Sequence, residues 1–452
     1  VYKRQGMDSA QGTHLGQRAV VVGGGMGGLF AARVLSDHFD DVVVLDRDGE
    51  PAGDEPRGPV PQGHHFHVLL PGGLDAMIDW FPGFVGDLVD SGSVEMQLGR
   101  DFYAYTPQGL SHSLQRFQPT PMQDGPMTYV QTRPALEANV RNRVAGVDNV
   151  TFRYRSLVDG PIVEGGRVVG VTLRDGPAIR ADLVVDASGR NSCTAHWLEP
   201  MGFTPAPETY VNCDVSYTSA IVEPQVWDAF DGTVFFLMPS GDGEHAGRYG
   251  SVVKLPNDQW LLSLGSRYGD SAPSDWDAFL DYGATLVDPI WSELAATVTP
   301  LTDLKTYRMT RAVRRHYEQL DRFPDGLVPI ADSVCFFNPI HGQGMSSAAG
   351  QCRGLGELLT QRAASGAGLG GLAMDFFPIA ADWVRGPWIM AALSDFEHPQ
   401  CTGDFPMDDV PDLEELGRVA ASAEPTSPEM QVVLDISVLR RPLSAIRTLT
   451  PA

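Results

Sequence analysis

"RAVVVGGGMGGLFAARVLSDHFDDVVVLDRD", Arg18 to Asp48, decides the fold. Ala19 to Val22 is an unbroken apolar run, suited to a strand buried on both faces of a parallel sheet. The cluster that follows, Gly23-Gly24-Gly25-Met26-Gly27-Gly28, satisfies GxGxxG. Helical spacing continues through Phe30, Val34 and Leu35, and a second apolar run, Val42 to Leu45, ends on Asp46. The stretch therefore predicts a β–α–β unit. In such a loop the glycines permit a tight turn, close approach of a pyrophosphate and close packing of helix on strand. The helix N-terminus adds N–H donors and a favourable dipole. Asp46 stands where a carboxylate can accept from ribose hydroxyls, and this context makes the loop a dinucleotide site rather than a merely tight turn. It does not by itself separate NAD from FAD.

Later blocks make that separation. "ADLVVDASGRNS" (Ala181 to Ser192) is an apolar strand ending in a turn of small residues. "GLVPIADSVCFFNPIHGQGMSSAAG" (Gly326 to Gly350) ends a strand on Asp332 and passes Pro339, Gly342 and Gly344 into a helix. A strand-end Asp can hold a ribityl hydroxyl, and the two glycines let the backbone lie against a flat ring. The helix would aim its positive end at a flavin pyrimidine and favour the reduced anion. Between these blocks, Tyr129 to Gly146 reads as a strand end followed by a helix. Val150 to Gly189 reads as strands, with a hairpin turn at Gly165–Gly166. "SVVKLPNDQWLLSLGS" reads as a hairpin turning at Pro256 to Asp258, within a second, antiparallel domain. After Pro71 the pattern turns irregular, rich in Gly, Pro and Asp, and after about residue 366 it is helical.

Composition narrows the function. A net charge of −24 gives a surface that repels nucleic acid and anionic lipid. The most apolar stretch, "GGLAMDFFPIAADWVRGPWIMAALSDF", is broken by Asp375, Asp382 and Arg385, so a buried or groove-lining helix is expected there and no membrane span. Cys193, Cys213, Cys335, Cys352 and Cys401 show no CxxC pairing and read as reduced thiols of a cytoplasmic protein. Residues 1–6 read as a non-native leader ahead of Met7.

Taken together, the three dispersed blocks resemble the FAD-dependent monooxygenases of the para-hydroxybenzoate hydroxylase fold. That resemblance implies an α/β, Rossmann-like FAD-binding domain of the glutathione-reductase-2 type (16–80, 129–204 and 306–365). It also implies an inserted α+β substrate domain on an antiparallel sheet (81–128 and 205–305) and a C-terminal helical region (366–452). The implied FAD contacts are Gly23, Gly25, Met26, Gly27, Gly28, Asp46, Arg47, Arg57, Arg133, Val158, Asp332, Gly342, Gly344, Met345 and Ser346. "RGPVPQGHHFHVLL", "RRHYEQLDRFPDGL", "FNPIHGQGMSSAA" and "GPWIMAALSDFEHP" resemble more narrowly the squalene-epoxidase-like bacterial epoxidases of polyketide polyenes. The resemblance implies O2 activation through a C4a-hydroperoxyflavin and epoxidation of a hydrophobic alkene, with NAD(P)H or a separate flavin reductase as reductant.

Three positions depart from the pattern. Ala331-Asp332 replaces the usual Gly-Asp, and His341 replaces the group's tyrosine. Ser188 stands where many aromatic hydroxylases carry an Asp, which argues against that activity. A flavin halogenase would need an N-terminal lysine, and none lies between Lys3 and Lys254. A flavin-dependent alkene reductase, which needs no oxygen chemistry, and a non-catalytic flavin-binding protein would carry the same glycine loop. In "HHFH" a strand would place His65 and His67 on one face and His64 and Phe66 on the other. Two strand histidines fall short of a metal site, so a structural pair beside the cofactor is expected. His65, His67 and His341 are the candidates for tuning the flavin or relaying a proton.

Overall fold

The computed structural model describes residues 14–53, 61–106, 109–112, 125–223, 232–238, 245–286 and 288–449. The Arg18–Asp48 stretch becomes strand Gly16–Val22, helix Met26–Leu35 and strand Phe39–Leu45. These belong to a five-stranded sheet in the order Leu327–Pro329, Leu183–Asp186, Gly16–Val22, Phe39–Leu45, Val150–Arg153. Every pairing in it is parallel. Ala19, Val20 and Val21 have no exposed surface, because helices Met26–Leu35 and Gly344–Ser365 lie on one side. The hairpin Val158–Glu164/Arg167–Leu173 packs on the other, its Val168 and Val171 fully buried in the same core. Gly165 and Gly166, at φ 56° and 80°, supply the two left-handed residues that its tight turn demands. Register places Val22 beside both Leu45 and Asp186, so the carboxyl ends of the strands open onto one crevice.

The second sheet has seven strands, in the order Lys305–Met309, Val215–Val222, Trp260–Arg267, Tyr249–Lys254, Val234–Leu237, Phe102–Thr106, Gly109–His112. It is antiparallel except for the parallel pair Val234–Leu237 with Phe102–Thr106. Helices Trp276–Gly283 and Ile290–Ala295 cover one face, with Phe279 and Trp291 fully buried. The expected boundary at 305 falls at the start of a strand that runs to Met309 within this second sheet.

The broken apolar stretch forms one long buried helix, Leu372–Phe396. Each interrupting charge has a partner. Asp375 meets Arg362 at 2.5 Å, Arg385 meets Asp412 at 2.6 Å, and Asp382 accepts from Ser444 at 2.5 Å. Among the described residues no helix is long and apolar enough to cross a membrane. All five cysteines are free thiols.

Two expectations need correction. Pro71–Trp80 is a helix, not irregular chain. Pro71 sits in its first turn, where its fixed φ fits. Gly72 and Gly73, which look like loop signals, are packing residues. A Cβ on Gly72 would lie 1.8 Å from the Leu439 carbonyl oxygen, and one on Gly73 2.8 Å from Ser346 Oγ. The second correction concerns His64 to His67. Pro61–His64 is a 3-10 turn, and the chain regains sheet pairing only at the single bridge of Val68 with Val130. The histidines therefore do not alternate as in a strand.

Candidate functional site

The glycine loop divides its work residue by residue. Gly23 has φ 109°, and a Cβ there would lie 2.3 Å from the Ala187 carbonyl oxygen. A Cβ on Gly28 would lie 1.8 Å from the Gly23 oxygen, so this glycine lets helix meet strand. Gly25 differs. It is the N-cap of the Met26–Leu35 helix, has no side-chain cap, and a Cβ on it would meet nothing within 4 Å. The loop thus leaves open space at a helix N-terminus, which is what a pyrophosphate needs. Asp46 is 4% exposed and accepts from Asp48 N at 3.0 Å. Ser156 N donates to the Asp46 carbonyl at 2.8 Å, which brings the segment before Val158 alongside. Arg47 points outward, its side chain 63% exposed.

Arg141 also reaches this loop, donating to the Gly24 carbonyl at 2.5 Å and to Glu137 at 2.8 Å. Its Nη1 is buried without a hydrogen-bond partner among the described residues, as a group awaiting an anion would be. Glu137 also pairs with Arg133 at 3.4 Å. The i, i+4 series Arg133, Glu137, Arg141 is the only sequence signal that could have found Arg141. These features fit a dinucleotide such as FAD.

The Asp332 block lies against the same loop, but Asp332 does not end a strand: the strand stops at Pro329, and Asp332 sits in the 3-10 turn Ala331–Ser333. Asp332 is held up by burial, opposed by the charges of Arg133, Arg190 and Arg315. Ala331 has φ 56°, a left-handed conformation costing a non-glycine residue roughly 1–2 kcal/mol. Its methyl stands 2.6 Å from where a Cβ on Gly27 would sit. The departure from Gly-Asp thus fills space that Gly27 leaves empty. Gly27→Ala alone should destabilise the apoprotein by roughly 1–3 kcal/mol. Adding Ala331→Gly should restore most of that loss, since it removes both the clash and the strain. Urea midpoints of the four proteins read the coupling, and additive effects would refute it.

Asp186, fully buried at its strand end, organises the DASG turn. It accepts from Ser188 N, Ser188 Oγ, Ser192 Oγ and Thr194 N at 3.0, 2.5, 2.7 and 2.8 Å. Ser188 Oγ in turn accepts from Cys193 N at 3.0 Å. Ser188 therefore closes this turn, a role its comparison with an Asp did not suggest.

Gly342 has φ 64° and closes the Pro339–His341 turn; Val68 lies 3.6 Å from where its Cβ would be. The histidine segment thus borders the Gly342–Gly344 loop. Ser346 is buried, its Oγ accepting from Leu70 N at 2.9 Å, while Met345 is partly buried against the core. His341 ends the Pro339–His341 turn. Arg57 lies outside the described residues.

His65 and His67 go to different neighbours. The His65 ring, 3% exposed, bonds Ser219 Oγ at 2.8 Å and meets Tyr217 edge-on at 4.4 Å between centroids. Tyr307 stands 5.4 Å from Tyr217 and accepts from Arg190 at 2.9 Å. This makes an aromatic wall on the second sheet. His67 donates from Nδ1 to the His65 carbonyl at 3.0 Å, leaving Nε2 as the acceptor of its neutral form. Among the described residues no group of three His, Cys, Asp or Glu could hold a metal ion.

Burial, helped by His67 and His64, pushes His65 down to about 3. Burial and then Arg133 push His67 down to about 4, and burial with Arg267 does the same to His398. These rings stay neutral when folded, whereas an unfolded histidine binds its proton near pH 6.5. Their stabilisation is full above about pH 6.5 and is lost as the pH falls, levelling off at the folded values. Each adds a slope of up to about 1.4 kcal/mol per pH unit. His65→Phe should lower proton uptake on unfolding near pH 5 by about one, read from the pH dependence of the urea midpoint. An unchanged slope would count against a neutral His65.

No protein-family model matches the chain. Among solved structures it is similar to the myxobacterial chondrochloren halogenase CndH, a variant FAD-dependent halogenase. That match has a TM-score of 0.64 and 15% identity, over 94% of this chain and 97% of that one. It is similar also to PqsL of Pseudomonas aeruginosa in complex with 2-aminobenzoylacetate. There the TM-score is 0.60 and the identity 18%, over 84% and 97% of the two chains. The fold is therefore the FAD-binding monooxygenase fold, with a Rossmann-like domain, a substrate domain and a helical C-terminal part. Among curated proteins the match is to Protein Rv3254 of Mycobacterium tuberculosis, 31% identical over 404 residues, 85% of this chain and 81% of that protein. On that identity and coverage, the chain belongs to the family of Protein Rv3254.

Proposed function

We propose that the chain is an FAD-dependent monooxygenase that delivers one oxygen atom from O2 to an alkene of a hydrophobic, polyketide- or terpenoid-like molecule. What carries this reading is the convergence of the open cradle at Gly25, Asp332 among three arginines, and the Gly342–Gly344 loop. Gly25 and the first N–H groups of the Met26–Leu35 helix would take the pyrophosphate, with Arg141 beside them. Asp46 would take the ribose. Arg133, Asp332 and the backbone from Gly342 to Ser346 would hold the flavin end, with Arg47, Arg57 and Val158 as further contacts. Bound FAD supplies the electrons that activate O2. The chain's own work is to orient the substrate and exclude water. Electrons come from NAD(P)H directly or through a separate flavin reductase.

Hydroxylation of an aromatic ring is the second reading. The Tyr217–Tyr307 wall favours it, since such rings stack on an aromatic substrate. Halogenation is disfavoured, because no lysine lies between Lys3 and Lys254, and the side chains of Lys254 and Lys305 are 36% and 47% exposed.

The test loads the protein with FAD, measures uptake by titration, reduces it, and supplies 18O2 with a polyene or a phenol. One labelled oxygen in an epoxide supports the first reading, and one in a phenol product the second. Anaerobic turnover of an alkene would overturn both in favour of a reductase.

A further inference from the structure

Two conspicuous motifs, "FNPIHGQG" and "ALSDFEHP", meet through one buried cluster. Asp395, 1% exposed near the end of the Leu372–Phe396 helix, accepts from Asn338 Nδ2 at 2.7 Å. The same carboxylate oxygen pairs with Arg267 Nη1. The Arg267 side chain has no exposed surface and comes from the last residue of the Trp260–Arg267 strand in the second sheet. Asn338, 1% exposed, uses its other side-chain atom as well: Oδ1 accepts from Ile340 N at 3.1 Å and caps the Pro339–His341 turn. That turn leads directly into Gly342–Gly344. One carboxylate thus ties the second sheet, the long C-terminal helix and the glycine loop together.

This cluster is not explained as a source of stability. A buried ion pair loses its hydration, and a well-packed apolar pair in its place is often neutral or better. Arg267 Nε and Nη2 and Asp395 Oδ2 moreover have no hydrogen-bond partners among the described residues. What the cluster provides is direction. Asn338 is aimed by Asp395, Asp395 is aimed by Arg267, and Asn338 sets the turn.

We propose that Arg267, Asp395 and Asn338 are positioning residues that hold the Pro339–Gly344 loop in fixed register against the substrate sheet. The proposal rests on the reading of that loop as the flavin-facing one. Through it, the spacing between the glycine loop and the substrate sheet depends on three buried residues.

The experiment compares the full chain with Asn338→Leu and with the double variant Arg267→Met/Asp395→Leu, which removes both charges together. Hydrogen exchange of the 340–344 amides is followed in the apoprotein. FAD affinity, the visible spectrum and the midpoint potential are followed after loading. Loop exchange should rise about tenfold or more in both variants, the loss of one charge-assisted hydrogen bond. The thermal midpoint of the double variant should stay near native, and the bound FAD should show a shifted spectrum and potential. Native loop exchange in the double variant, with its fold intact, would overturn the positioning role. Faster loop exchange with unaltered FAD affinity, spectrum and potential would overturn instead the placement of FAD at this loop.

Discussion

Gly25→Ser should leave the apoprotein as stable as the native chain, or slightly more so, while weakening FAD by about a hundredfold. Gly25 sits at an N-cap with φ −79° and ψ −174°, an ordinary extended conformation, and a Cβ there meets nothing. Serine is a better N-cap than glycine by a few tenths of a kcal/mol. The added side chain, however, stands where the pyrophosphate would approach on the proposed reading of this loop. Losing one or two charge-assisted N–H bonds to phosphate costs about 3 kcal/mol, or roughly two orders of magnitude in affinity. Gly28→Ala should do the reverse. Its Cβ would lie 1.8 Å from a backbone oxygen that cannot swing aside, so the apoprotein itself should lose about 3 kcal/mol or more. Titration of apoprotein with FAD, beside thermal melts without FAD, separates the two effects. Equal loss of apoprotein stability in both variants would remove the distinction between a ligand glycine and a packing glycine.

Asp186→Asn should be among the most damaging isosteric changes in the chain. A carboxylate only accepts, and the fully buried Asp186 accepts from two backbone N–H groups and from the hydroxyls of Ser188, Ser192 and Ser333. An amide NH2 would face at least one of those donors, leaving buried groups unsatisfied at roughly 1–3 kcal/mol each. The turn also supports the Asp332 block, because Gly189 N donates to Ser333 Oγ at 3.2 Å. Both the thermal midpoint of the apoprotein and the FAD affinity should therefore fall. A native-like melt and native affinity would show that the DASG turn does not depend on its carboxylate.

Legibility varied with the range of the interaction. The β–α–β unit and the hairpin at Gly165–Gly166 could be read because turn chemistry and periodicity belong to neighbouring residues; the strand expected to end on Asp332 instead stops at Pro329, ahead of the left-handed Ala331. The Pro71–Trp80 helix was hidden, because Gly72 and Gly73 serve contacts with Leu439 and Ser346, hundreds of positions away. The histidine segment misled for a related reason. Alternation assumes a continuous strand, and the Pro61–His64 turn interrupts it. His65 then packs on the second sheet while His67 bonds back to the His65 carbonyl.

From its sequence alone this protein could be placed in a fold. The glycine loop, the acids at strand ends and the period of the apolar residues are local, and local backbone chemistry leaves few ways to satisfy them. Which buried polar groups meet was decided only in three dimensions. Arg141 reaches Gly24 across 117 positions, Arg267 reaches Asp395 across 128, and His65 reaches Ser219 across 154. No periodicity encodes such pairs. They exist because burying a charge or an imidazole without a partner is so costly that packing of the whole chain must bring one to it.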